Sequence, residues 1–322
     1  MISWVAGHPY WETFRQRIDS SVDAAFLVFT HFGCLHRQRG KDQAAAPVEA
    51  GGPAWCSYCW VEDTLSRRSG ESIVSDALGL IKSQGVRRGS KVHLKCYGDN
   101  AAGNPGVLRA LAASITTRDD WRDYDIGWTF YAKSSMVSSE VAGLFRAVGA
   151  RYLFIGFDSV DDNILRCNGT GASALAHHRA AENCRDNGLG IQAAFVLGCV
   201  GETERSLQDT LRFAEWLASQ GVLERVNAAV LFVVPGAPAY SLLRAEEPWL
   251  SALDDLPTRE LQWHWVRHFC PGLGENPSRG LALLEKYANL LDELSPGPHA
   301  SMGFESARLA NERVRVPEGT QP

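Results

Sequence analysis

Residues 190–235 read GIQAAFVLGCVGETERSLQDTLRFAEWLASQGVLERVNAAVLFVVP, and this stretch decides the fold. GIQAAFVLG (190–198) is a short apolar run of the kind that forms a strand. TERSLQDTLRFAEWLASQG (203–221) switches to helical spacing, and Thr203 is placed to accept from the first-turn amides as an N-cap. RVNAAVLFVVP (225–235) is apolar and β-rich again. Strand, helix and strand in this order make a parallel βαβ unit.

Working outward, the same alternation accounts for six strands. AAFLVFTH (24–31) is followed, after an irregular Gly/Pro-rich stretch, by the helical pattern ESIVSDALGLIKSQG (71–85). SKVHLKCYG (90–98) precedes PGVLRALAASI (105–115), and YDIGWTFYA (124–132) precedes SSEVAGLFRAVGA (138–150), with Gly149 at its C-terminal stop. RYLFIGFD (151–158) leads into a helical stretch that ends at DNGLG, where Gly188 and Gly190 break the chain. Near-continuous apolar strands predict a parallel sheet covered on both faces. The fold class expected is α/β: a partial (βα)6 TIM-like barrel, residues 24–245, with a helical C-terminal extension. Residues 1–23 form an N-terminal extension, and 246–322 a cap and tail containing the helix SRGLALLEKYANLLDEL (278–294). The competing doubly wound sheet lacks a GxGxxG after its first strand. In a barrel of this kind the residues just after each strand carry the chemistry.

Composition narrows the function. The chain has 322 residues, 45% of them hydrophobic, enough for a sizeable core. Thirty-two basic against 37 acidic residues leave a net charge of -5, so no basic field draws it to nucleic acid. The longest apolar runs, such as AAVLFVV (228–234), fall far short of the ~20 residues that span a bilayer, and the first residues hold no apolar signal core. A soluble, cytoplasmic protein is expected, with no membrane partner. Eight cysteines are too dilute for a disulfide scaffold and are expected as thiols.

Three of them, Cys34, Cys56 and Cys59, follow the first strand in the order FGC, a 21-residue spacer, then CSYC. Their spacing leaves two readings open. Three thiolates can hold three irons of a [4Fe-4S] cube and leave the fourth open. Alternatively they bind zinc, with His31 or His36 as the fourth ligand.

Five stretches in order tip the balance. FTHFGC with the later CSYC, CYGDN (96–100), YLFIGFDSVDDNILRCNGTG (152–171), FVLGCVGETERSLQDTLRFAEWL (195–217) and VVPGAPAY (233–240) together resemble the radical S-adenosylmethionine (SAM) enzymes, over about residues 24–242. The departures are specific. The usual CxxxCxxC has its first gap lengthened to 21 residues, LHRQRGKDQAAAPVEAGGPAW, a polar insertion expected to bulge as a loop at small entropic cost. Asp158 replaces the fourth-strand glutamate, and Asn168-Gly169 carries no lysine. With 23 residues upstream, no cobalamin-binding domain is expected ahead of the core.

The resemblance implies that Cys34, Cys56 and Cys59 bind the [4Fe-4S] cluster, and that SAM chelates the open iron and is cleaved to a 5′-deoxyadenosyl radical by one electron from an external reductant such as flavodoxin or ferredoxin. It places Tyr58 near the adenine, Asp99 near the SAM amino group, where a carboxylate suits an ammonium, and Asp158 near the ribose hydroxyls. Each also has a plain reading: a packed aromatic for Tyr58, a turn for Asp99-Asn100, a structural carboxylate for Asp158. The implied substrate is a small molecule or natural-product intermediate, with epimerisation or another C–H functionalisation as the outcome. Cys199, after the fifth strand, and Cys270, in HFCPG, are candidate hydrogen-atom donors; buried packing is the alternative. Glu202 is expected to complement a helix dipole. His264 and His268, four apart, could share a helical face for a metal, or line a cavity or surface, while Trp263, Trp265 and Phe269 could wall a cavity or pack the core. His177-His178 is expected on a solvated helix. Two other classes remain: a zinc-stabilised nucleic-acid-binding protein, and an altered barrel that serves as a partner-binding subunit.

Overall fold

The computed structural model describes residues 21–40, 53–61, 65–252 and 258–296; most of the expected N-terminal extension and the tail lie outside them. Six strands run β1 (Ala24–Phe29), β2 (Lys91–Tyr97), β3 (Asp125–Lys133), β4 (Ala150–Gly156), β5 (Gly190–Leu197) and β6 (Leu223–Val230). They lie side by side in chain order, every neighbouring pair parallel, and among the described residues β6 does not pair with β1. The result is an α/β partial barrel with a helical C-terminal part. A two-residue ribbon, His31–Phe32 against Ser66–Arg67, leads out of β1.

The helices are α1 (Leu35–Gly40), α2 (Gly70–Ser83), α3 (Pro105–Thr116), α4 (Ser139–Ala147), α5 (Asp162–Cys167), α6 (Ala174–Asp186), α7 (Glu204–Ser219), α8 (Pro238–Glu246), α9 (Thr258–Phe269) and α10 (Pro277–Asp292). Sequence explains their ends. Thr203 caps α7 in a capping box with Ser206. Ser138 caps α4, and Gly149, at φ 81°, closes the turn after it.

Several expectations are corrected. The strands are not covered alike on both faces: in β5, Ile191, Ala193, Phe195 and Leu197 are buried, while Gly190, Gln192, Ala194 and Val196 are half-exposed. The buried set packs under the helices, as where Phe130 meets Phe145 of α4 and Phe195 meets Phe213 of α7. The other set faces the barrel interior, where Thr129 bonds His93, and Tyr131 lies against both Phe154 and Lys95. An incomplete barrel leaves its interior open, so the period-2 alternation survives there.

Strand six ends at Val230 rather than residue 235, whereas β5 starts at Gly190, where its apolar run begins. The Cys34–Cys56 insertion is not simply a loop, because its first six residues form α1. His177 is not solvated: it is buried, its Nε2–H donating to the Ser159 carbonyl and its Nδ1 accepting from the Ser134 hydroxyl. Burial pushes its pKa down to about 4.

The C-terminal helices finish the sheet. As the last strand, β6 presents outward amides that water or another strand would otherwise satisfy. Here the Ala228 amide donates to Asp292 at the end of α10 and the Val226 amide to Ser295, while Gln262 of α9 donates to the Leu231 carbonyl. Of the described residues, no helix is long and apolar enough to cross a membrane.

Candidate functional site

The carboxyl ends of the strands gather the expected site residues. Gly33, at φ 83°, turns the chain out of the ribbon so that Cys34 starts α1. Its amide donates to Asp99 Oδ2 at 2.7 Å, which fixes the approach of Cys34 from the end of β2. Asn100 is buried, with its Nδ2 3.9 Å from Cys34 Sγ and its Oδ1 accepting from the Lys133 amide. Cys56 and Cys59 lie on one tight turn, Cys59 N–H to Cys56 O at 3.1 Å.

The long insertion closes at its base. Arg37 on α1 lies over the Trp55 ring, 4.4 Å from its centroid, a contact that joins the residues beside Cys34 to those beside Cys56. His36 Nε2–H donates to the Gly169 carbonyl at 2.8 Å.

Asn168, noted in the sequence only for the lysine it lacks, is the hub of this loop. Its backbone carbonyl accepts from the Ser57 amide and its Oδ1 from the Ser57 hydroxyl and the Val200 amide; its Nδ2 donates to Ile164 and Val200 carbonyls. Gly169 next to it has φ 61°, and a Cβ there would stand 2.1 Å from Pro53 O and 2.5 Å from Trp55 O. The segment that carries Cys56 and Cys59 therefore rests directly on the Asn168-Gly169 backbone. No compositional signal marks this, because it depends on two backbones that meet over a long sequence separation.

The three thiols interact electrostatically with one another. Burial pushes Cys56 up, with Lys133 opposing, and pushes Cys59 up to about 12, reinforced by Cys56, Cys34 and Asp99. Such thiols stay protonated until a positive metal centre compensates them. Their sulfurs do not all fall within 4.8 Å of one another. Three thiolates on one tetrahedral zinc would stand about 3.8 Å apart, whereas ligands on separate irons of a cube stand wider, so the donor set fits the cluster better. The His31 Nδ1 bonds the Thr30 hydroxyl and the His36 Nε2–H the Gly169 carbonyl, and among the described residues neither histidine joins the thiols in a three-ligand group.

Around the thiols lie Tyr58, Asp158 and Lys133. All three keep partial solvent exposure. Asp158 is the one described non-glycine residue with positive φ, 63°, and its amide bonds the Ala194 carbonyl at 3.2 Å. Strained conformations of this kind persist where the surroundings hold them, often at functional positions. Burial raises the Asp158 carboxyl, with Tyr58 and Lys133 pulling the other way. The buried Tyr58 hydroxyl stands near enough to Asp158 to perturb its titration, but it makes no hydrogen bond of good geometry. Sequence reading missed Lys133, whose signal was a lysine directly after the apolar run of β3.

The remaining candidates lie behind the mouth. Cys199 is buried with its Sγ 3.3 Å from Val196 O, and Cys270 is buried with its Sγ 3.4 Å from both Gly198 O and Cys199 O. Burial holds both thiols well above their ordinary range. Glu202 does not sit in the first turn of α7 to complement its dipole. It precedes the N-cap and is buried, accepting from Gly198 N–H and the Ser206 hydroxyl, because the tight Gly198–Gly201 turn folds it under α9. Burial raises its pKa to about 7. Trp265 packs in the core, stacked on Phe269 with its indole N–H donating to Gly198 O, and Trp263 donates to Ser278.

Comparison with known proteins agrees with this geometry. The profile of the Radical SAM superfamily matches residues 51–214, half of the chain. Bacteriochlorophyllide d C-12(1)-methyltransferase of Chlorobaculum tepidum is 24% identical over 196 residues, 60% of this chain and 41% of that protein. The ribosomal protein uS12 methylthiotransferase RimO of Solibacter usitatus is 25% identical over 172 residues, 50% of this chain and 36% of that protein. Among solved structures, the radical SAM methyltransferase TsrM of Kitasatospora setae, with tryptophan substrate and aza-SAM bound, superposes with a TM-score of 0.60 at 16% identity, over 92% of this chain and 58% of that one. Another TsrM structure holds cobalamin and a [4Fe-4S] cluster. The chain thus spans little more than half of TsrM and less than half of these two relatives. With the profile over half its length and the thiols gathered at the mouth of a six-stranded partial barrel, the chain belongs to the radical SAM superfamily, enzymes whose cofactors are a [4Fe-4S] cluster and S-adenosylmethionine.

Proposed function

We propose that Cys34, Cys56 and Cys59 hold the [4Fe-4S] cluster, and that the enzyme functionalises a C–H position of a small organic substrate in the open barrel interior. The observation that carries this reading is the meeting of three half-buried thiols with Asp158 and Lys133 at the mouth. When bound, the cluster supplies one electron to the sulfonium of SAM, which gives access to hydrogen abstraction from unactivated C–H bonds. The protein's own part is positioning. Asp99 holds the Gly33 amide through Oδ2, orienting Cys34 and leaving its second oxygen for the SAM amino group. Asp158 offers acceptors to the ribose hydroxyls, Lys133 supplies a cation beside them, and Tyr58 forms a wall for the adenine. Of the two candidate hydrogen donors, the role falls to Cys199, whose thiol feels the charges of Asp158 and Cys56 at the mouth as well as Glu202, whereas Cys270 feels Glu202.

Anaerobic reconstitution tests the reading. About four irons per chain with charge-transfer absorbance are expected, and Cys34→Ala should lose them. A colourless protein that takes up zinc at the thiols would overturn it.

Methyl transfer is a second reading, favoured by the methyltransferase relatives. Incubation with SAM and reductant separates the two: 5′-deoxyadenosine without S-adenosylhomocysteine marks hydrogen abstraction alone, whereas S-adenosylhomocysteine, with or without 5′-deoxyadenosine, marks methyl transfer. Cys199→Ala is expected to leave 5′-deoxyadenosine formation intact and to suppress products that require hydrogen return.

A further inference from the structure

A second set of metal-ligating side chains lies in the C-terminal segment, apart from the thiols. Glu247, just after α8, points Oε1 at two imidazoles on α9: His264 Nδ1 at 2.9 Å and His268 Nε2 at 2.8 Å. The histidines are four residues apart, which sets them on one helical face a turn apart. The three ligand atoms lie within 4.8 Å of one another. Side-chain exposures of 13% for Glu247, 14% for His264 and 23% for His268 leave the group half-sheltered yet open to entry.

The carboxylate is also held from outside. Its Oε2 accepts from the Trp249 indole N–H at 2.7 Å, the kind of outer contact that orients a ligating carboxylate. The Trp249 and Trp263 rings flank His264 at centroid distances of 5.2 and 5.0 Å. One group opposes a cation: Arg267 Nη1 is 3.9 Å from Oε1, on a side chain 55% exposed and able to swing into solvent.

We infer that Glu247, His264 and His268 form a divalent-metal site of the zinc class, which ties the connection after α8 to α9. Two imidazoles and one carboxylate are a standard three-ligand set that leaves a fourth position for water. Tetrahedral ligands at zinc bond lengths stand about 3.3 Å apart, so loading asks the nitrogens to draw back from Oε1 by roughly half an ångström. Each neutral imidazole moves its proton to the far ring nitrogen and offers the vacated lone pair to the ion. No net proton is released and no electron is transferred.

The test uses the full chain with its iron-sulfur cluster loaded, stripped of loose metal and titrated with zinc, and separately with cobalt(II) to read its d–d absorbance. The expected result is about one zinc per chain beyond the cluster iron, a raised Tm on loading, and a cobalt spectrum typical of nitrogen and oxygen ligands. The His264→Ala/His268→Ala variant should lose all three while keeping its charge-transfer absorbance, which shows that it folds. Trp249→Phe should weaken zinc by roughly 10–100-fold. The equivalent should persist in a chain with Cys34, Cys56 and Cys59 all changed to Ala. No added zinc in the wild type, or undiminished zinc in the histidine variant, overturns the assignment and leaves a hydrogen-bonded Glu-His-His group.

Discussion

At the scale of single residues, the site depends on side chains that make no contact with the chemistry. Asn168 satisfies buried groups on both the segment that carries Cys56 and Cys59 and the β5–α7 turn. Asn168→Ala leaves the Val200 amide without its acceptor, which costs about 1–3 kcal/mol per buried group left unsatisfied. Calorimetry should show the lowered Tm, and iron analysis a reduced cluster content. Gly169→Ala adds a left-handed φ to a backbone collision at Pro53 and Trp55, so iron loading should fall further than in a control such as Gly79→Ala, where a Cβ meets nothing. The sequence made Cys34, Cys56, Cys59, Asp99 and Asp158 legible because motif order marks strand ends. Asn168 and Lys133 were not legible, since their roles come from partners on distant segments, such as Ser57 and Val200 for Asn168 and Asn100 for Lys133.

At the scale of elements, the β5–α7 connection carries a carboxyl the fold does not accommodate easily when charged. The ordinary value for Glu202 is 4.5 and its folded value is about 7. Below 4.5 the group is protonated in both states and costs nothing; between 4.5 and 7 the unfolded chain ionises first, so stability falls as pH rises, then levels off above about 7. At about 1.4 kcal/mol per pH unit this is on the order of 3 kcal/mol. Denaturant unfolding of Glu202→Gln across pH 5–8 should show a flatter profile and higher stability at pH 8; an unchanged slope would remove Glu202 as the cause. A Gln fits here because its amide can donate to Ser206 while its oxygen accepts from Gly198. The same connection shows where local patterning succeeds and fails: Thr203 was readable as a cap, but the burial of Glu202 depends on α9 docking over the turn.

At the scale of the molecule, the C-terminal helices close what the strands leave open. Six parallel strands do not complete a barrel, and the outer edge of β6 is sealed by Asp292, Ser295 and Gln262. A chain ending at residue 257 should expose that edge and self-associate, visible as larger species in light scattering, and Asp292→Ala alone should lower stability by about 1–3 kcal/mol. The amino-acid sequence by itself determined the strand and helix order, the parallel partial barrel and the family, and it singled out Cys34, Cys56 and Cys59 as candidates. Apolar periodicity and motif order are local properties, and they survive without coordinates. Only the tertiary structure decided how the long insertion is clasped by Arg37 and Trp55, that the segment carrying Cys56 and Cys59 rests on Asn168-Gly169, that Lys133 joins Asp158 at the mouth, and that Glu247 meets His264 and His268. Each of these is a contact between segments distant in the chain, set by which backbones the packed helices and strands bring together.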